Sequence, residues 1–600
     1  MNKIRVADFV ADFVADVLGV STVFTVTGGG AMFLNDAFGN HDKLTCIYNH
    51  HEQASAMAAV GYAKHSVGYG VACFTTGCGS TNSITGVLDA WQDSTPLLCI
   101  SGQVKRKETT YNTDVRLRQF GVQEANIVEI VRPITKYAIM INNPADIAYE
   151  LEKAVYLGAN GRPGPVWIDI PLDVQGAWIN PAELKHFIPE HESIKFPSTP
   201  KTQDISCLEK LLSLAKRPII IAGNGIRLSN TEKNFVNYVE KYQIPVVFSY
   251  LSIDLLPSSH PLAIGRLGAK GDRAGNFSVQ NSDFVIVLGS RLSVALTGFE
   301  YDLFAREAKV VVVDIDSEEH KKNTVNIDLM IEADLRDYFK SHSFDYSAPS
   351  DWSEQCLKWK NQWPVYQGPY IHEKNINMYE CIHQLGKLMG DNSIVVSDAG
   401  SAYYVTSQAL SISGTQRYIT SGAQADMGYT LPAAIGACIS ANRVDTYAIT
   451  GDGSFQMNIQ ELQTIIHNQL PIKILIWNNN GYLSIKTTQT KFFEGRLAGT
   501  NSESGLSCPD FRKISDAYGI SYLKADSIEN LENALLTLKS TRGPIICEVI
   551  CPEFQEVIPA VSSMKKADGV MVSKPIEDMY PFLSREEFKN EMLISPLSED

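Results

Sequence analysis

No CxxC pair occurs among the eleven cysteines, which are scattered from Cys46 to Cys551. That absence excludes a zinc ribbon and a thioredoxin-type dithiol, and an odd number of dispersed thiols fits a reduced, cytoplasmic chain. Positive charge is in deficit: 52 Lys and Arg stand against 67 Asp and Glu, a formal charge of −15. Nonspecific binding to a nucleic-acid backbone is therefore not the expected task, although a small phosphorylated ligand held by a metal remains compatible. There is no GxGxxG fingerprint and no internal repeat of about 20–50 residues. No long uncharged apolar run occurs at the start either. The apolar stretch from Val6 to Phe24 is broken by Asp8, Asp12 and Asp16. Acids four apart share one helical face, so the segment predicts an amphipathic helix that buries Phe9, Val10, Phe13, Val14 and Val17. It does not read as a membrane span or a cleavable leader.

What is present is an ordinary globular composition, 44% apolar and 20% charged, over 600 residues. That length exceeds the ~250–300 residues at which a single core stops growing. Three stretches alternate short β-rich runs with helical segments, the texture of parallel α/β domains. Strands are expected at Val23–Thr27, Leu44–Tyr48, Gly70–Thr75 and Pro96–Ser101 in the first stretch. The second offers Pro218–Ala222, Pro245–Phe248, Phe284–Leu288 and Val310–Ile315. The third offers Ile394–Ser397, Thr446–Thr450, Ile472–Trp477 and Pro544–Val549. Proline-rich junctions separate them. The expected division is residues 1–180, a linker at 181–200, 201–345, a linker at 346–370, 371–552, and a charged tail at 553–600.

The most informative words are Gly451-Asp452-Gly453 and Asn478-Asn479-Asn480-Gly481, each at the end of an expected strand. Twenty-four residues separate Gly453 from Asn478, enough for one strand–helix–strand crossover. A right-handed crossover puts both strand ends on one sheet edge, so Asp452 and Asn479 can converge on one oxygen-ligated ion. Mg²⁺ holding a diphosphate suits such an edge, with glycines letting backbone N–H groups approach the phosphate. Either word alone is a common turn.

The pair at this spacing resembles the diphosphate motif of thiamine-diphosphate (ThDP) enzymes, and GDGSFQMNIQEL, LPIK and GYTLPAAIGA resemble the acetolactate synthase branch. The resemblance implies three doubly wound parallel-sheet α/β domains: pyrimidine-binding, central Rossmann-like and diphosphate-binding. It implies that Asp452, the Asn479 side chain and the Gly481 carbonyl hold Mg²⁺, with Gly451, Gly453, Ser454, Tyr482 and Leu483 around the diphosphate. The strand running into His50-His51-Glu52-Gln53 and then ASAMAAVGYA is similar to the synthases' HEQ segment. Glu52 is thereby implied as the carboxylate that bonds the cofactor's pyrimidine and supports its proton transfer. Taken without the family, Glu52 is an ordinary acid in a first helical turn.

Thr76, Gly77 and Asn82, in TTGCGSTN, match the family's Gly-rich loop at the pyrimidine, with Cys78 where proline is usual. Gln123, in GVQE, matches a residue facing the reaction pocket, with Val122 in place of the usual Phe. Met427 matches the bulky residue beneath the cofactor, and Ala425, where Gly is typical, offers its carbonyl to the pyrimidine amine. The Asp398–Ser401 loop is similar to a further phosphate-side loop. Ala222–Gly225, Gly289–Arg291 and Asp314–Asp316 sit where many acetolactate synthases contact FAD, yet glycine at strand ends is equally expected of any α/β domain.

In this family the site lies between subunits, which implies a homodimer or a dimer of dimers. The implied substrates are pyruvate and a second carbonyl compound. Simple decarboxylases place acids at positions matching Gly29 and Ile485, so carboligation is the expected fate of the two-carbon unit. A non-ligating decarboxylase, a sulfoacetaldehyde-type acetyltransferase and a regulatory subunit without turnover stand as alternatives. The acceptor stays open between a 2-oxo acid and, from the resemblance of KPIEDMYPFLSREEF to relatives associated with surface-sugar biosynthesis, a keto-sugar. The stretch Lys565–Val572 is expected either to close over the pocket as a lid or to stabilise the dimer.

Overall fold

The computed structural model describes residues 3–192, 194–371, 374–565 and 571–597. Three sheets of six parallel strands carry the chain. Across the first sheet the strands run Thr45–Tyr48, Thr22–Thr25, Gly70–Phe74, Leu97–Gln103, Pro165–Pro171 and Tyr137–Met140. Across the third they run Arg417–Thr420, Ile394–Ser397, Thr446–Gly451, Ile472–Asn478, Ile545–Ile550 and Ser521–Ala525. Numbered along the chain within each domain, both have the order 2-1-3-4-6-5. The middle sheet runs Ala263–Arg266, Val246–Phe248, Pro218–Ala222, Phe284–Leu288, Lys309–Asp314 and Leu329–Glu332. Its order is 3-2-1-4-5-6, that of a dinucleotide-binding sheet. Buried Val, Ile and Leu fill both faces of the inner strands, as parallel sheets covered on two sides require.

Each domain has two more strands than the sequence pattern indicated. Five of the six additional strands lie at sheet edges, where a shorter and less apolar run suffices because neighbours cover only one side. Ser521–Ala525, for instance, buries only Ala525 fully, the four residues before it being exposed or half-buried. The opening segment also departs from its expectation. Its helix, Val6–Asp12, passes into a wider turn at Phe13–Val17. Val10, Phe13 and Val14 are buried, but Val17 is 67% exposed, because the widened turn rotates it off the apolar face.

The helix Ser350–Gln362 stands within the second junction, burying Trp352 and Trp359. Residues 575–597 lie against the middle domain and the junction helix: Arg306 pairs with Glu577 at 2.7 Å, and Trp359 Nε1 donates to Glu591 at 2.8 Å. Residues 563–565 and 571–573 pair as an antiparallel hairpin. The remainder of the stretch expected as a lid, 566–570, lies outside the described residues. No helix among the described residues is long and apolar enough to cross a membrane.

The first and third domains share one hydrophobic core, centred where helix Glu52–Ser66 crosses helix Thr430–Ser440. The approach is backbone to backbone. A Cβ on Gly61 would stand 2.3 Å from the Ala433 carbonyl oxygen, and one on Gly436 only 1.8 Å from that of Ala58. Gly61→Val is therefore expected to lower stability by about 1–3 kcal/mol or more, read as a fall in the thermal midpoint. An unchanged midpoint would show that this crossing does not hold the two domains together.

Candidate functional site

In an open α/β sheet, ligands bind beyond the carboxyl ends of the strands where the strand order reverses. In the third domain that point lies between Ile394–Ser397 and Thr446–Gly451. The loops leaving these strands begin with Asp398 and Asp452. Asp452 is buried. Its Oδ1 accepts from the Gly453 N–H at 2.7 Å, and its Oδ2 from those of Gly481 at 2.9 Å and Asn479 at 3.2 Å. Burial pushes its carboxyl up to about 6, against the opposing pull of those three N–H groups. The adjacent strand, Ile472–Asn478, pairs in register with Thr446–Gly451 and delivers Asn479 beside it.

Asn479 carries the decisive observation. Its Oδ1 is buried and has no hydrogen-bond partner, which costs free energy unless a further group completes it. The backbone is shaped for that turn. Gly481 has φ +118°, and a Cβ there would stand 2.0 Å from the Thr500 carbonyl oxygen. Buried Lys486 donates to the carbonyls of Asn479 at 2.9 Å and Asn480 at 3.3 Å. Gly453 is pressed against the Tyr482 ring, whereas Gly451 faces open space, leaving room for a ligand beside the carboxylate. Among the described residues no group of three or more His, Cys, Asp or Glu could hold a metal. The donors here are one carboxylate, one amide oxygen and the Gly481 carbonyl, all hard oxygens. Such a set fits Mg²⁺ only when phosphate and water supply the remaining positions.

Asp398 has a different task. Its Oδ2 accepts from Ser454 Oγ at 2.5 Å and Thr450 Oγ1 at 3.1 Å, and its Oδ1 from the Ala399 N–H at 2.6 Å. Burial raises its carboxyl, and these donors oppose that. Asp398 thus ties the two loops across the switch point, with Ser401 buried at the start of helix Gly400–Ala409. The helical run expected after Gly453 is broken into Asp452–Phe455, a tighter turn at Gln456–Asn458 and Glu461–His467. The break aims Asn458 and Glu461 at the first domain.

Those two residues were not evident in the sequence. Asn458 Nδ2 donates to the Gly428 carbonyl at 2.8 Å and to Gln53 Oε1 at 3.1 Å. Glu461 accepts from Asn49 Nδ2 at 2.9 Å and the His50 N–H at 3.0 Å. Met427 sits in the segment so anchored, since the Gly428 N–H also donates to Ser454 Oγ at 2.8 Å. Ala425, at φ +53°, takes the left-handed conformation that a glycine would adopt without strain.

In the first domain Glu52 opens its helix, with His51 Nδ1 accepting from the Gln53 N–H as the cap at 3.1 Å. Glu52 Oε2 accepts from Asn82 Nδ2 at 2.9 Å. Its Oε1 lies 3.2 Å from where a Cβ on Gly79 would stand, so the loop folds tightly against the carboxylate. Thr76 Oγ1 is buried without a partner. Gly77, at φ +67°, leaves space that the Gln123 carbonyl occupies, 1.8 Å from a would-be Cβ. Glu124 fastens that second loop by accepting from the N–H groups of Phe120 at 2.7 Å and Gly121 at 3.3 Å. Val122 is 84% exposed. Glu52, Thr76, Gly77, Asn82 and Gln123 therefore form one cluster. Ser401, Gly451, Asp452, Gly453, Ser454, Asn479, Gly481, Tyr482 and Leu483 belong to the other, with Ala425 and Met427 on the segment the two domains hold between them.

The middle domain carries a cleft of about 1080 Å³, counted out to its open mouth, lined by Asn224, Gly225, Gly289, Ser290, Arg291 and Asp314 among others. It too lies at a reversal of strand order, where a Cβ on Gly223 would stand 2.1 Å from the Gly289 carbonyl oxygen.

Comparison with known proteins defines the class. Residues 4–130, 205–341 and 398–549 match the N-terminal TPP binding, central and C-terminal TPP binding domains of the thiamine pyrophosphate enzymes. The acetolactate synthase large subunit of Lactococcus lactis subsp. lactis is 34% identical over 92% of this chain and 94% of its own length. That of Corynebacterium glutamicum is 31% identical over 91% and 87%, and the chloroplastic enzyme of Arabidopsis thaliana 30% over 92% and 83%. Within the thiamine pyrophosphate enzymes, the chain belongs to the acetolactate synthase family.

Proposed function

We propose that this chain is a ThDP- and Mg²⁺-dependent carboligase that decarboxylates pyruvate and transfers the two-carbon unit, at the oxidation level of acetaldehyde, to a second carbonyl compound. The single observation carrying the reading is the unpartnered Asn479 Oδ1 buried beside Asp452. Bound ThDP supplies an electron sink for the loss of carbon dioxide from a 2-oxo acid. Asp452, Asn479 and the Gly481 carbonyl hold Mg²⁺, and Ser401, Gly451, Gly453, Ser454, Tyr482 and Leu483 surround the diphosphate. Glu52, oriented by Asn82, holds a proton at the pyrimidine side. Thr76, Gly77, Ala425 and Met427 shape that side, and Gln123 faces the substrate.

Carboligation is favoured over simple decarboxylation because no proton donor stands at Gly29 or Ile485, the latter 48% exposed. A site without such donors protects a reactive carbon until the second carbonyl arrives. We assign the acceptor to the carbonyl class spanned by 2-oxo acids and keto-sugars.

A homo-oligomer with sites completed between subunits is part of the same reading. The loop beside Gly77 exposes Tyr111, Val115, Leu117, Phe120 and Val122, and the helix after Leu483 exposes Ile485 and Phe492. Apolar surface of that extent near a binding site marks a protein interface. FAD suits the middle-domain cleft, where glycines at the strand ends admit a nucleotide backbone. Eleven free thiols support a cytoplasmic location.

Purified protein given ThDP, Mg²⁺, pyruvate and a mixture of 2-oxo acids and keto-sugars is expected to consume pyruvate. It should form a product two carbons longer than one acceptor, identified by mass spectrometry. Acetaldehyde as sole product would refute carboligation. A flavin absorbance band in the same preparation is expected, and its absence after flavin reconstitution would remove FAD from the cleft.

A further inference from the structure

The helix after the Asn479–Gly481 turn, Leu483–Phe492, carries a lysine in an unfavourable place. Lys486 is 0% exposed, and its ammonium meets two backbone carbonyls, of Asn479 at 2.9 Å and Asn480 at 3.3 Å, rather than a carboxylate. Lys473, equally buried, has Asp445 at 3.6 Å. A buried ammonium without a paired anion is costly. Its position adds to the cost. The side chain folds back from the first turn over residues that precede the helix, and a helix N-terminus already presents positive partial charge. The Phe554 ring, its centroid 5.3 Å from Nζ, offsets part of this. Burial lowers the Lys486 pKa, and the Glu553 and Asp452 carboxylates oppose that through space.

A local cost of this kind is expected where function requires it. The two carbonyls that Lys486 holds belong to the peptide units joining Asn479, Asn480 and Gly481. The Asn480–Gly481 unit is thus fixed at both ends, its carbonyl by Lys486 at 3.3 Å and its N–H by Asp452 at 2.9 Å. Fixing these planes sets the direction of the Asn479 side chain and of the Gly481 carbonyl. The charge counts as well. Mg²⁺ beside one carboxylate leaves a single positive charge, less than a diphosphate needs, and Lys486 adds another. We propose that Lys486 is a positioning residue of the ion site, clamping the Asn479–Gly481 turn in its ligating form and placing positive charge behind it. The inference rests on the ThDP and Mg²⁺ reading given above. Lys486 is not itself a ligand; it acts through Asn479 and Gly481.

The test compares full-length wild type with Lys486→Met, which keeps an unbranched apolar stem and removes the charge and both hydrogen bonds. Thermal midpoints are measured without ligand, then with saturating ThDP over a series of Mg²⁺ concentrations. The ligand-free midpoint is expected to stay within about 2 °C of wild type, because relief of a buried charge offsets the lost hydrogen bonds. The Mg²⁺ concentration giving half of the ligand-induced rise should increase at least about tenfold. A lysine that merely packs its helix would do the reverse, lowering the ligand-free midpoint and leaving the Mg²⁺ dependence alone. Wild-type crystals grown with ThDP and Mn²⁺ provide a readout independent of variant folding. Nζ is expected on both carbonyls, behind an ion located by its anomalous signal. An unshifted Mg²⁺ dependence in Lys486→Met, or an Nζ turned away from the carbonyls in the loaded crystal, would overturn the proposal alone. Wild type with no Mg²⁺-dependent rise would overturn the ThDP reading, and this inference with it.

Discussion

Asp452→Ala is expected to weaken ThDP binding in the presence of Mg²⁺ by roughly 100-fold or more, a loss beyond that of removing an outer-shell partner. The reason is geometric as well as electrostatic. Asp452 is the only carboxylate in the ion's donor set, and it also receives the N–H groups of Gly453, Asn479 and Gly481. Its removal leaves three buried donors unpaired and releases the turn that presents Asn479. Titration of ThDP at fixed Mg²⁺, followed by calorimetry or tryptophan fluorescence, measures the loss. Affinity within a few-fold of wild type would refute the ion site outright. Asp452→Asn removes the charge while keeping one oxygen acceptor, enough for the N–H groups of Asn479 and Gly481 but not for that of Gly453 as well.

Glu52→Gln should behave differently. Turnover of pyruvate is expected to fall by about 10²–10⁴-fold, the usual worth of a positioned proton-transfer group, while ThDP affinity stays within a few-fold. An isosteric amide fits the same space against Gly79 and preserves an oxygen for the Asn82 donor. What it loses is a carboxylate able to share a proton with the cofactor. Carbon dioxide release at saturating ThDP reads the first quantity and a binding titration the second. Activity close to wild type would take Glu52 out of its role. If affinity collapsed along with turnover, the carboxylate would be a binding group. Together the variants divide the site into an anchoring half and an activating half, on separate domains.

The two halves differ in how far each could be read from the chain. Asp452 and Asn479 are legible because a crossover of set length places consecutive strand ends side by side, a consequence of local chain geometry. Glu52 is singled out only by the resemblance of its segment to the synthases' HEQ word, since by itself it is an ordinary acid in a first helical turn. Asn458 and Glu461 are not legible, although they hold the first domain against the Met427 segment. Their partners lie some four hundred residues away, and nothing in a run of QMNIQEL distinguishes a solvated helix face from a domain contact.

The departures from the family pattern were visible as letters but not as shapes. Ala425 does adopt a positive φ, so the fold imposes a glycine-like conformation on an L side chain. Gln123, also at positive φ, brings its carbonyl against Gly77. Val122 leaves its loop open to solvent, where a larger side chain would cover more of it.

Sequence alone was enough for the three α/β domains and for bringing Asp452 and Asn479 to one sheet edge, because strand periodicity, glycine turns and crossover length act over tens of residues. It did not supply five of the six edge strands or the inner strand Pro165–Pro171, the docking of the last segment on the middle domain, or the bonds that join the first and third domains. Those depend on desolvation and hydrogen bonding between groups brought together only when the sheets pack. A polar side chain declares its partner only after folding has removed the water that would otherwise serve it.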